Sequence, residues 1–554
     1  MTGLELIAVV LVAVLLMTWL ARRLHLSEPL MLLGGGVLIG LTPHFDRVDL
    51  PPDAVLLVFL PALLYWEALT TSLREIKTNF RSIVLQSTGL VLVTALAVAA
   101  VAHALDYAWP IAFVLGAVLA PTDVAAVAAV ATAMPRRIVT LLRTESLLND
   151  GTALVLLAVG LELLTTGEPF SWAGTTLRFV ESYAGGAVIG AAIALALIPV
   201  RRHLKDRSLH SGLSVATPFV AFLPAEALHV SGVLAVVTCA LVTSRVGPGL
   251  IRSDARLEAT AFWEVTAFLL NGALFVLVGI QTPAAVRALA SISLLQATMI
   301  AAAVSATVIA ARVAWFYTVP YLIRLVDRRR QQRQRRIGAR QRLPLAWAGM
   351  RGAISLAAAL SIPATTADGQ PLAQRDAVIF ITVVVITVTL AVLGPALPAV
   401  VRGARFTEDA DEAAEEALAV RQLAHTALAE LPAVADRFSV PEAIMAHIAK
   451  DLRKQAAPAS DRTHDQVLCR ERQISTTYAL EAALLDVKRA ALNDLRNQAL
   501  IDDNVVRRVQ RRLDTEEQRL SMRMSLLQSS AHGVGERGDG VDQGGPPPPE
   551  RTCG

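Results

Sequence analysis

Apolar runs of nearly membrane-spanning length recur along the first four hundred residues and constrain the fold of this chain most. A transmembrane helix needs about 20 consecutive apolar residues, and we count about thirteen such runs. The predicted spans are 4–20, 28–41, 53–70, 82–105, 110–133, 138–164, 181–200, 211–225, 229–246, 259–281, 289–322, 344–364 and 375–401. With 54% hydrophobic residues over 554 positions, the sequence predicts an all-α polytopic membrane protein embedded in a lipid bilayer.

Positive charges fall on alternate connections between these runs. Arg and Lys cluster at 22–23, 136–137 and 324–342, whereas the connections 165–180 and 365–374 carry few cations. Because cationic loops stay in the cytoplasm, the sequence predicts a cell-membrane protein with its N-terminus outside and its C-terminus inside. The formal net charge is only +4 and mostly reflects these loops, so nucleic-acid binding is not expected.

The chain changes character after the last apolar run. We assign residues 1–404 to a transmembrane domain and residues 405–532 to a cytoplasmic tail, in which apolar residues recur with helical periodicity. Residues 533–554 are rich in Gly and Pro and are expected to be disordered. The tail contains no catalytic constellation, so we expect it to serve regulation or assembly, with a partner that the sequence does not identify.

The span 138–164 contains four polar residues that its apolar pattern does not explain. Glu145, Ser146, Asn149 and Asp150 have the spacing that places side chains on one helical face. An ionised side chain at the centre of a transmembrane helix costs at least about 2.5–3.5 kcal/mol, so such residues usually line an ion or proton path. Burial disfavours the charged form of a carboxyl group, and Asp150 is therefore suited to bind a proton or a cation alternately, with the Ser146 hydroxyl as a further oxygen ligand.

A proline interrupts the predicted span 110–133. Pro121 removes one helical hydrogen bond, and Thr122 and Asp123 follow it directly. Transporters use discontinuous helices of this kind because the freed carbonyls can ligate a cation. A simple kink is the alternative interpretation, but it does not explain the carboxylate of Asp123.

Arg351 places a permanent positive charge inside the span 344–364, between Gly349 and Gly352. An arginine cannot lose its charge as a lysine can, so Arg351 needs an anionic partner. Glu145 is the available acid, and we expect a structural ion pair between Glu145 and Arg351. Breaking one side of a buried pair typically costs about 3–5 kcal/mol.

Three further polar residues are possible accessory groups. Glu67 lies near the end of span 53–70 and is either a second cation ligand or an interfacial residue. Glu226 lies near the predicted outer mouth, where it either attracts cations or belongs to a solvated turn. Asn271 either contributes to the path or only bridges helices.

Taken together, these motifs resemble the cation/proton antiporter superfamily, in its sodium–proton exchanger branch. The resemblance rests on Thr122-Asp123, on Glu145-Ser-Leu-Leu-Asn-Asp150 and on Gly349-Met-Arg-Gly-Ala-Ile354, and it covers residues 1–402. It implies inverted repeats, two crossing discontinuous helices, a homodimer and elevator-type alternating access.

The resemblance also implies roles for individual residues. Asp150 corresponds to the main cation and proton site, Ser146 and the Thr122 carbonyl to Na+ ligands, and Asp123 to a support of the helix crossing. The position before Asp150 is Asn149, where electrogenic relatives carry a second Asp. This implies electroneutral exchange of one Na+ or Li+ for one proton, in pH and sodium homeostasis. No cofactor is expected beyond the transported ions.

Three other functions are alternatives to this one. Exchange of K+, or of several monovalent cations, uses the same ligand types, and Val124 replaces a proline that many relatives carry, so ion choice stays open. An intramembrane aspartyl protease would resemble its class in a Gly-x-Gly-Asp element within a span, which the sequence lacks. A channel gated by the tail is the third alternative, but a proton-binding carboxylate beside broken helices favours an antiporter over an enzyme or a channel.

Overall fold

The structure of the chain is a computed structural model, in which the described residues of the membrane domain are mostly helical. The described residues are 3–43, 55–71, 83–123, 134–166, 172–204, 206–250, 253–326, 338–365, 374–406, 410–438 and 441–456, together with a few isolated positions.

Fourteen α-helices are described before residue 407. The first six are α1 (Gly3–Leu24), α2 (Glu28–Gly40), α3 (Leu60–Thr70), α4 (Leu90–Ala104), α5 (Trp109–Leu119) and α6 (Arg136–Thr166). The next five are α7 (Trp172–His203), α8 (Arg207–Ala227), α9 (Gly232–Leu250), α10 (Ser253–Ala288) and α11 (Leu294–Val326). The last three are α12 (Ala339–Trp347), α13 (Ala353–Leu360) and α14 (Arg375–Ala404). Short π-helical turns, Val55–Phe59 and Leu85–Gly89, lead directly into α3 and α4.

Seven of these helices are long and apolar enough to cross a membrane. They are α4 with its π-helical turn, and α1, α6, α7, α10, α11 and α14. Four more predicted spans coincide with shorter apolar helices, at Glu28–Gly40, Leu57–Thr70, Trp109–Leu119 and Gly232–Val246. The chain is therefore a multi-pass membrane protein, and the total of thirteen spans and the inverted repeats remain predictions.

Close helix packing depends on glycines that remove side chains from the contact. A Cβ atom at Gly36 of α2 would lie 2.2 Å from the Val276 carbonyl oxygen of α10, and one at Gly279 of α10 would lie 2.2 Å from the Leu33 oxygen. In the pair α7–α9, a Cβ atom at Gly190 would lie 2.1 Å from a carbonyl oxygen of α9. Small residues allow this approach in membranes, where van der Waals packing replaces the hydrophobic driving force.

The chain divides into two compact units, Met1–Thr407 and Glu408–Gly554. The first ends soon after α14, where Arg405 adopts a left-handed conformation with φ 49°. In the second, the described helices are α15 (Ala410–Arg437) and α16 (Glu442–Ala456). Most of the predicted tail beyond 456, and all of 533–554, lies outside the described residues, so the domain assignment stays a prediction.

Candidate functional site

Two non-helical segments, one after α5 and one between α12 and α13, meet at the centre of the site. Helix α5 ends at Leu119, and the residues 120–123 that follow it are not helical; we call this segment the first interruption. Helix α12 ends at Trp347 and α13 begins only at Ala353; we call the segment between them the second interruption. The backbone N–H of Asp123 donates to the Met350 carbonyl at 2.9 Å, so the two non-helical segments satisfy each other's backbone groups.

The carboxylate of Asp123 lies against the beginning of α13. A Cβ atom at Gly352, the residue before that helix, would lie 2.0 Å from Asp123 Oδ2 and 2.6 Å from its Cγ. Only a residue without a side chain fits this approach. A negative charge beside a helix N-terminus interacts favourably with the helix dipole, so this position suits a carboxylate, and the supporting role that the resemblance implies for Asp123 stays a prediction.

Arg351 lies in the second interruption and binds backbone carbonyls at the end of α5 and in its own segment. Its Nε donates to the carbonyl of Leu119, the last residue of α5, at 3.0 Å, and its Nη1 donates to the Gly349 carbonyl. Its backbone N–H donates to Thr389 Oγ1 of α14 at 3.2 Å. A cation at the C-terminus of α5 complements the negative end of that helix. Arg351 therefore holds α5, the second interruption and α14 together.

The predicted ion pair between Glu145 and Arg351 is wrong in its partner. Arg312 of α11 donates from Nη1 to Glu145 Oε1 at 2.6 Å, and the two side chains are 2% and 1% exposed. Arg312 also donates from Nε to the Leu345 carbonyl at 3.1 Å and lies 5.1 Å from the centre of the Phe316 ring. Arg351 does not take this place because its guanidinium is directed to the carbonyls at the helix interruptions.

Arg312 is the functional-site residue that the sequence reasoning missed. It is a lone arginine inside the predicted span 289–322, and the cost of an unpaired charge in a membrane, which drew attention to Arg351, applies to it equally. Gly349 makes room for it, since a Cβ atom there would lie 2.5 Å from Arg312 Cδ.

The face of α6 that carries Asp150 is directed at the first interruption. Ser146 Oγ donates to the Thr122 carbonyl at 3.1 Å, so two of the predicted Na+ ligands are in direct contact. Asp150 is only 4% exposed. Within the part of the chain that the structure describes, its carboxylate has no hydrogen-bond or ion-pair partner. The acids that act on it electrostatically are Glu67 and Asp123.

Asn149 connects three segments around this face. In the orientation of its amide that pairs every donor with an acceptor, its oxygen accepts from Thr122 Oγ1 at 3.0 Å. Its nitrogen then donates to the main-chain carbonyls of Ser87 and Glu145, each at 3.0 Å. Ser87 lies in the π-helical turn before α4, and such turns leave carbonyls free from the regular helical pattern. Asn149 is completely buried, so it is a structural connector of α4, α6 and the first interruption.

The three possible accessory residues lie in different surroundings. Glu67 of α3 is partly exposed and acts electrostatically on Asp150 and Asp123, so the structure brings it to the site. Glu226 is exposed, and its Oε1 accepts from the backbone N–H of Gly232 at the start of α9, at 3.2 Å. Asn271 is partly buried in α10, and no contact described for the Asp150 face involves it.

A buried carboxylate beside two non-helical segments inside a membrane domain is typical of one class of membrane protein. Discontinuous helices that expose backbone groups near a carboxylate are typical of secondary transporters for cations. The family model described as sodium/hydrogen exchanger, transmembrane, matches residues 10–403. The chain therefore belongs to the sodium/hydrogen exchanger family, whose members are cation/proton antiporters and not an enzyme class.

Individual proteins show the same relationship. A Mycobacterium tuberculosis protein named as an uncharacterised Na+/H+ exchanger is 44% identical over 525 residues, which cover 94% of this chain and 96% of that one. A Bacillus pumilus sodium, potassium, lithium and rubidium/H+ antiporter is 31% identical over 386 residues, covering 67% of this chain and 57% of the relative. The sodium proton antiporter MjNhaP1 of Methanocaldococcus jannaschii, at pH 8, has a similar fold, with a TM-score of 0.58 and 17% identity, covering 73% of this chain and 99% of that structure.

Proposed function

We propose that the protein exchanges Na+ or Li+ for protons, one for one, and that Asp150 binds the two ions alternately. The observation that carries this proposal is the buried Asp150 carboxylate, without a partner among the described residues, beside the contact between Ser146 and Thr122. A buried carboxylate is costly to keep charged, so it holds either a proton or a cation.

The ligand set follows from the contacts on this face. Na+ is a hard cation and takes oxygen ligands, as Ca2+ and Mg2+ do. The Ser146 hydroxyl now donates to the Thr122 carbonyl at 3.1 Å. If the hydroxyl hydrogen rotates away, both oxygens are free to face an ion bound to Asp150. Protonation of Asp150 removes the charge that holds the ion, so binding of one species displaces the other.

Electroneutral exchange is supported by the role of Asn149. This side chain is uncharged and its amide is occupied by Thr122, Ser87 and Glu145, so Asp150 is left as the exchanging carboxylate on this helix. One carboxylate that trades one proton for one cation moves no net charge. Each uncompensated charge would experience about 2.3 kcal/mol per 100 mV, which corresponds to about a 50-fold change in the equilibrium ion ratio.

Transport itself is proposed to proceed by elevator-type alternating access in a homodimer. This proposal rests on the two interrupted helices and on the family. With the predicted orientation in the cell membrane, such exchange would serve pH and sodium homeostasis. The unit Glu408–Gly554, which begins with α15 and α16, would lie in the cytoplasm and serve regulation.

The proposed function is tested in liposomes that contain the full-length protein and an acidic lumen. External Na+ or Li+ should alkalinise the lumen in the wild type and not in Asp150→Asn. Glu162→Gln is the matched control, because Glu162 is an exposed carboxylate of the same helix α6, paired with Arg178. Unchanged alkalinisation in Asp150→Asn would refute the role of Asp150. No alkalinisation with any cation in the folded wild type would refute the antiport itself.

A broader cation range is the second proposal, because the Bacillus pumilus relative is named for sodium, potassium, lithium and rubidium. The same liposome assay with K+ and Rb+ distinguishes the broader cation range from exchange of Na+ and Li+ alone.

Electroneutrality is tested separately, by imposing a membrane potential of about 100 mV at fixed pH. A final ion ratio that follows the potential would contradict one-for-one exchange.

A further inference from the structure

The hydroxyl group of Tyr183 connects α7 to the turn of α6 that carries Asp150. Thr152 Oγ1 donates to the Leu148 carbonyl, one turn earlier in α6, at 2.9 Å. Because the Thr152 hydrogen is used in this way, the Tyr183 hydroxyl, 2.5 Å from Thr152 Oγ1, is the donor of the second hydrogen bond. Thr152 is completely buried. Asp150 lies between Leu148 and Thr152 in sequence, so Tyr183 binds the turn of the proposed exchange site from its other side.

The ring of Tyr183 is held in the orientation that this contact needs. Phe179, one turn earlier in α7, stacks on it with ring centres 4.5 Å apart and an angle of 20° between the planes. The Leu148 carbonyl lies 3.4 Å from the same hydroxyl. A preoriented ring therefore directs the hydroxyl of Tyr183 at one turn of α6.

Helix α7 is packed against α9 through backbone contacts. A Cβ atom at Gly186 would lie 2.3 Å from the Ser231 carbonyl oxygen, and one at Gly190 would lie 2.1 Å from the Ala235 oxygen. The backbone N–H of Ser231 also donates to the Ser182 carbonyl at 3.2 Å. Glycines that let two backbones approach so closely fix one helix against the other, so α7 and α9 form a rigid pair.

Helix α6 belongs to a different tightly packed group. A Cβ atom at Gly160 of α6 would lie 2.9 Å from Val114 Cγ2 of α5. A Cβ atom at Gly116 of α5 would lie 2.2 Å from the Ala95 carbonyl oxygen of α4. The same close packing that joins α7 to α9 therefore joins α6 to α5 and α5 to α4.

The contact between these two groups is of another kind. A Cβ atom at Gly151 of α6 would lie 3.4 Å from Val233 Cγ1 of α9, which is an ordinary van der Waals distance. Leu147 and Leu154 of α6 lie in one apolar cluster with Val233. Apolar contacts are non-directional and allow two surfaces to slide, whereas a hydrogen bond requires one geometry. The bond from Tyr183 therefore defines one relative position of the two groups.

An ion pair between Glu162 of α6 and Arg178 of α7 crosses the same boundary. Its side chains are 44% and 61% exposed. Exposed pairs of this kind contribute little, because water and salt screen them. The pair offers a control at the same boundary for the buried hydrogen bond.

We propose that the hydrogen bond between Tyr183 and Thr152 is a latch, which holds α4, α5 and α6 against α7 and α9 in one of two transport conformations. It breaks when the group that carries Asp150 moves to the other conformation. This inference rests on the proposed alternating access. Tyr183 is a positioning residue, since it acts through Thr152 and not on the ion. Loss of one such hydrogen bond should shift the ratio of the two conformations by about 2- to 10-fold.

The test measures that ratio by double electron–electron resonance between spin labels on the two groups. The labels are attached at Leu96→Cys in α4 and Val188→Cys in α7, which are 50% and 67% exposed. The full-length protein is used, with Cys469→Ser and Cys553→Ser. Two distances are expected, and Tyr183→Phe should change the ratio of their populations by about 2- to 10-fold.

The partner of Tyr183 provides the second variant. Thr152→Val removes the other hydroxyl and keeps the shape of the side chain, so it should shift the ratio in the same direction. Combined with Tyr183→Phe it should add nothing, because both variants remove the same hydrogen bond. Glu162→Gln removes the exposed ion pair and should leave the ratio unchanged. Equal ratios in wild type and Tyr183→Phe, additive shifts in the double variant, or a single distance in every variant would overturn the latch.

The liposome assay on the same proteins separates this inference from the proposed function. Alkalinisation by Na+ in the wild type, together with an unchanged ratio in Tyr183→Phe, refutes the latch alone. No alkalinisation in the folded wild type refutes the proposed function, and a shifted ratio in Tyr183→Phe would still support a latch between two conformations.

Discussion

The contact between Glu145 and Arg312 gives the sharpest quantitative prediction. The charged groups are buried and joined by a hydrogen bond of 2.6 Å. Two charges about 4 Å apart attract each other by about 4 kcal/mol at an effective dielectric constant of 20. Arg312→Met leaves the Glu145 charge buried without its partner, so we expect a loss of stability of about 3–5 kcal/mol.

A double-mutant cycle separates this pair from the alternative partner. Glu145→Gln with Arg312→Met should give a coupling energy of at least about 2 kcal/mol, because the double variant removes both charges together. Glu145→Gln with Arg351→Met should give less than about 1 kcal/mol, because the guanidinium of Arg351 is bound to the carbonyls of Leu119 and Gly349.

The cycle is measured by unfolding the full-length protein in mixed micelles with increasing SDS, followed by tryptophan fluorescence. Arg202→Met is the control, since Arg202 is an exposed arginine near the end of α7, outside the candidate site. The reasoning fails if the coupling energy of Glu145 with Arg351 equals or exceeds its coupling with Arg312. It also fails if Arg312→Met costs less than about 1 kcal/mol.

Two further substitutions test the packing of the interrupted helices. Gly352→Ala should abolish most transport in the liposome assay, because the new Cβ would lie 2.0 Å from Asp123 Oδ2. Gly34→Ala is the control, because a Cβ atom at Gly34 would have no other atom within 4 Å. Transport at the wild-type rate in Gly352→Ala would contradict the close contact. Asn149→Asp should lower Tm more than Asn149→Ala, because a carboxylate would face the Ser87 and Glu145 carbonyls to which the amide now donates. A Tm of Asn149→Asp equal to that of the wild type would disprove these contacts.

The sequence predicted most of the helices and the end of α5, because both depend on local patterns. Apolar runs located the helices, and Pro121 indicated the end of α5, which the structure places at Leu119. The interruption between α12 and α13, where Gly349 and Gly352 lie, was implied by the family resemblance and not by a local pattern. The two π-helical turns were not predicted. No residue type indicates a π-helical turn in the way that Pro or Gly indicates a break in a helix.

The partner of Glu145 was not predictable in the same way. Arg312 and Arg351 are both lone cations in apolar spans, and Glu145 is 167 residues from Arg312 along the chain. The choice between them depends on where the end of α5 lies, because its free carbonyl at Leu119 binds Arg351. That position is a property of the assembled helices, and the spacing of residues along one helix does not contain it.

The arrangement of charges is the reason why we propose Asp150, and not another buried charged residue, as the exchanging group. Glu145 is held by Arg312, Arg351 is held at the end of α5, and Asp123 lies at the start of α13. Each of these four charges has structural contacts, so we expect its loss to reduce stability and transport together. Among the charged residues of the candidate site that the structure describes, Asp150 combines deep burial with a carboxylate that no described residue binds. Asp150→Asn should therefore remove transport while Tm stays at or above the wild-type value, since an uncompensated buried charge stabilises nothing.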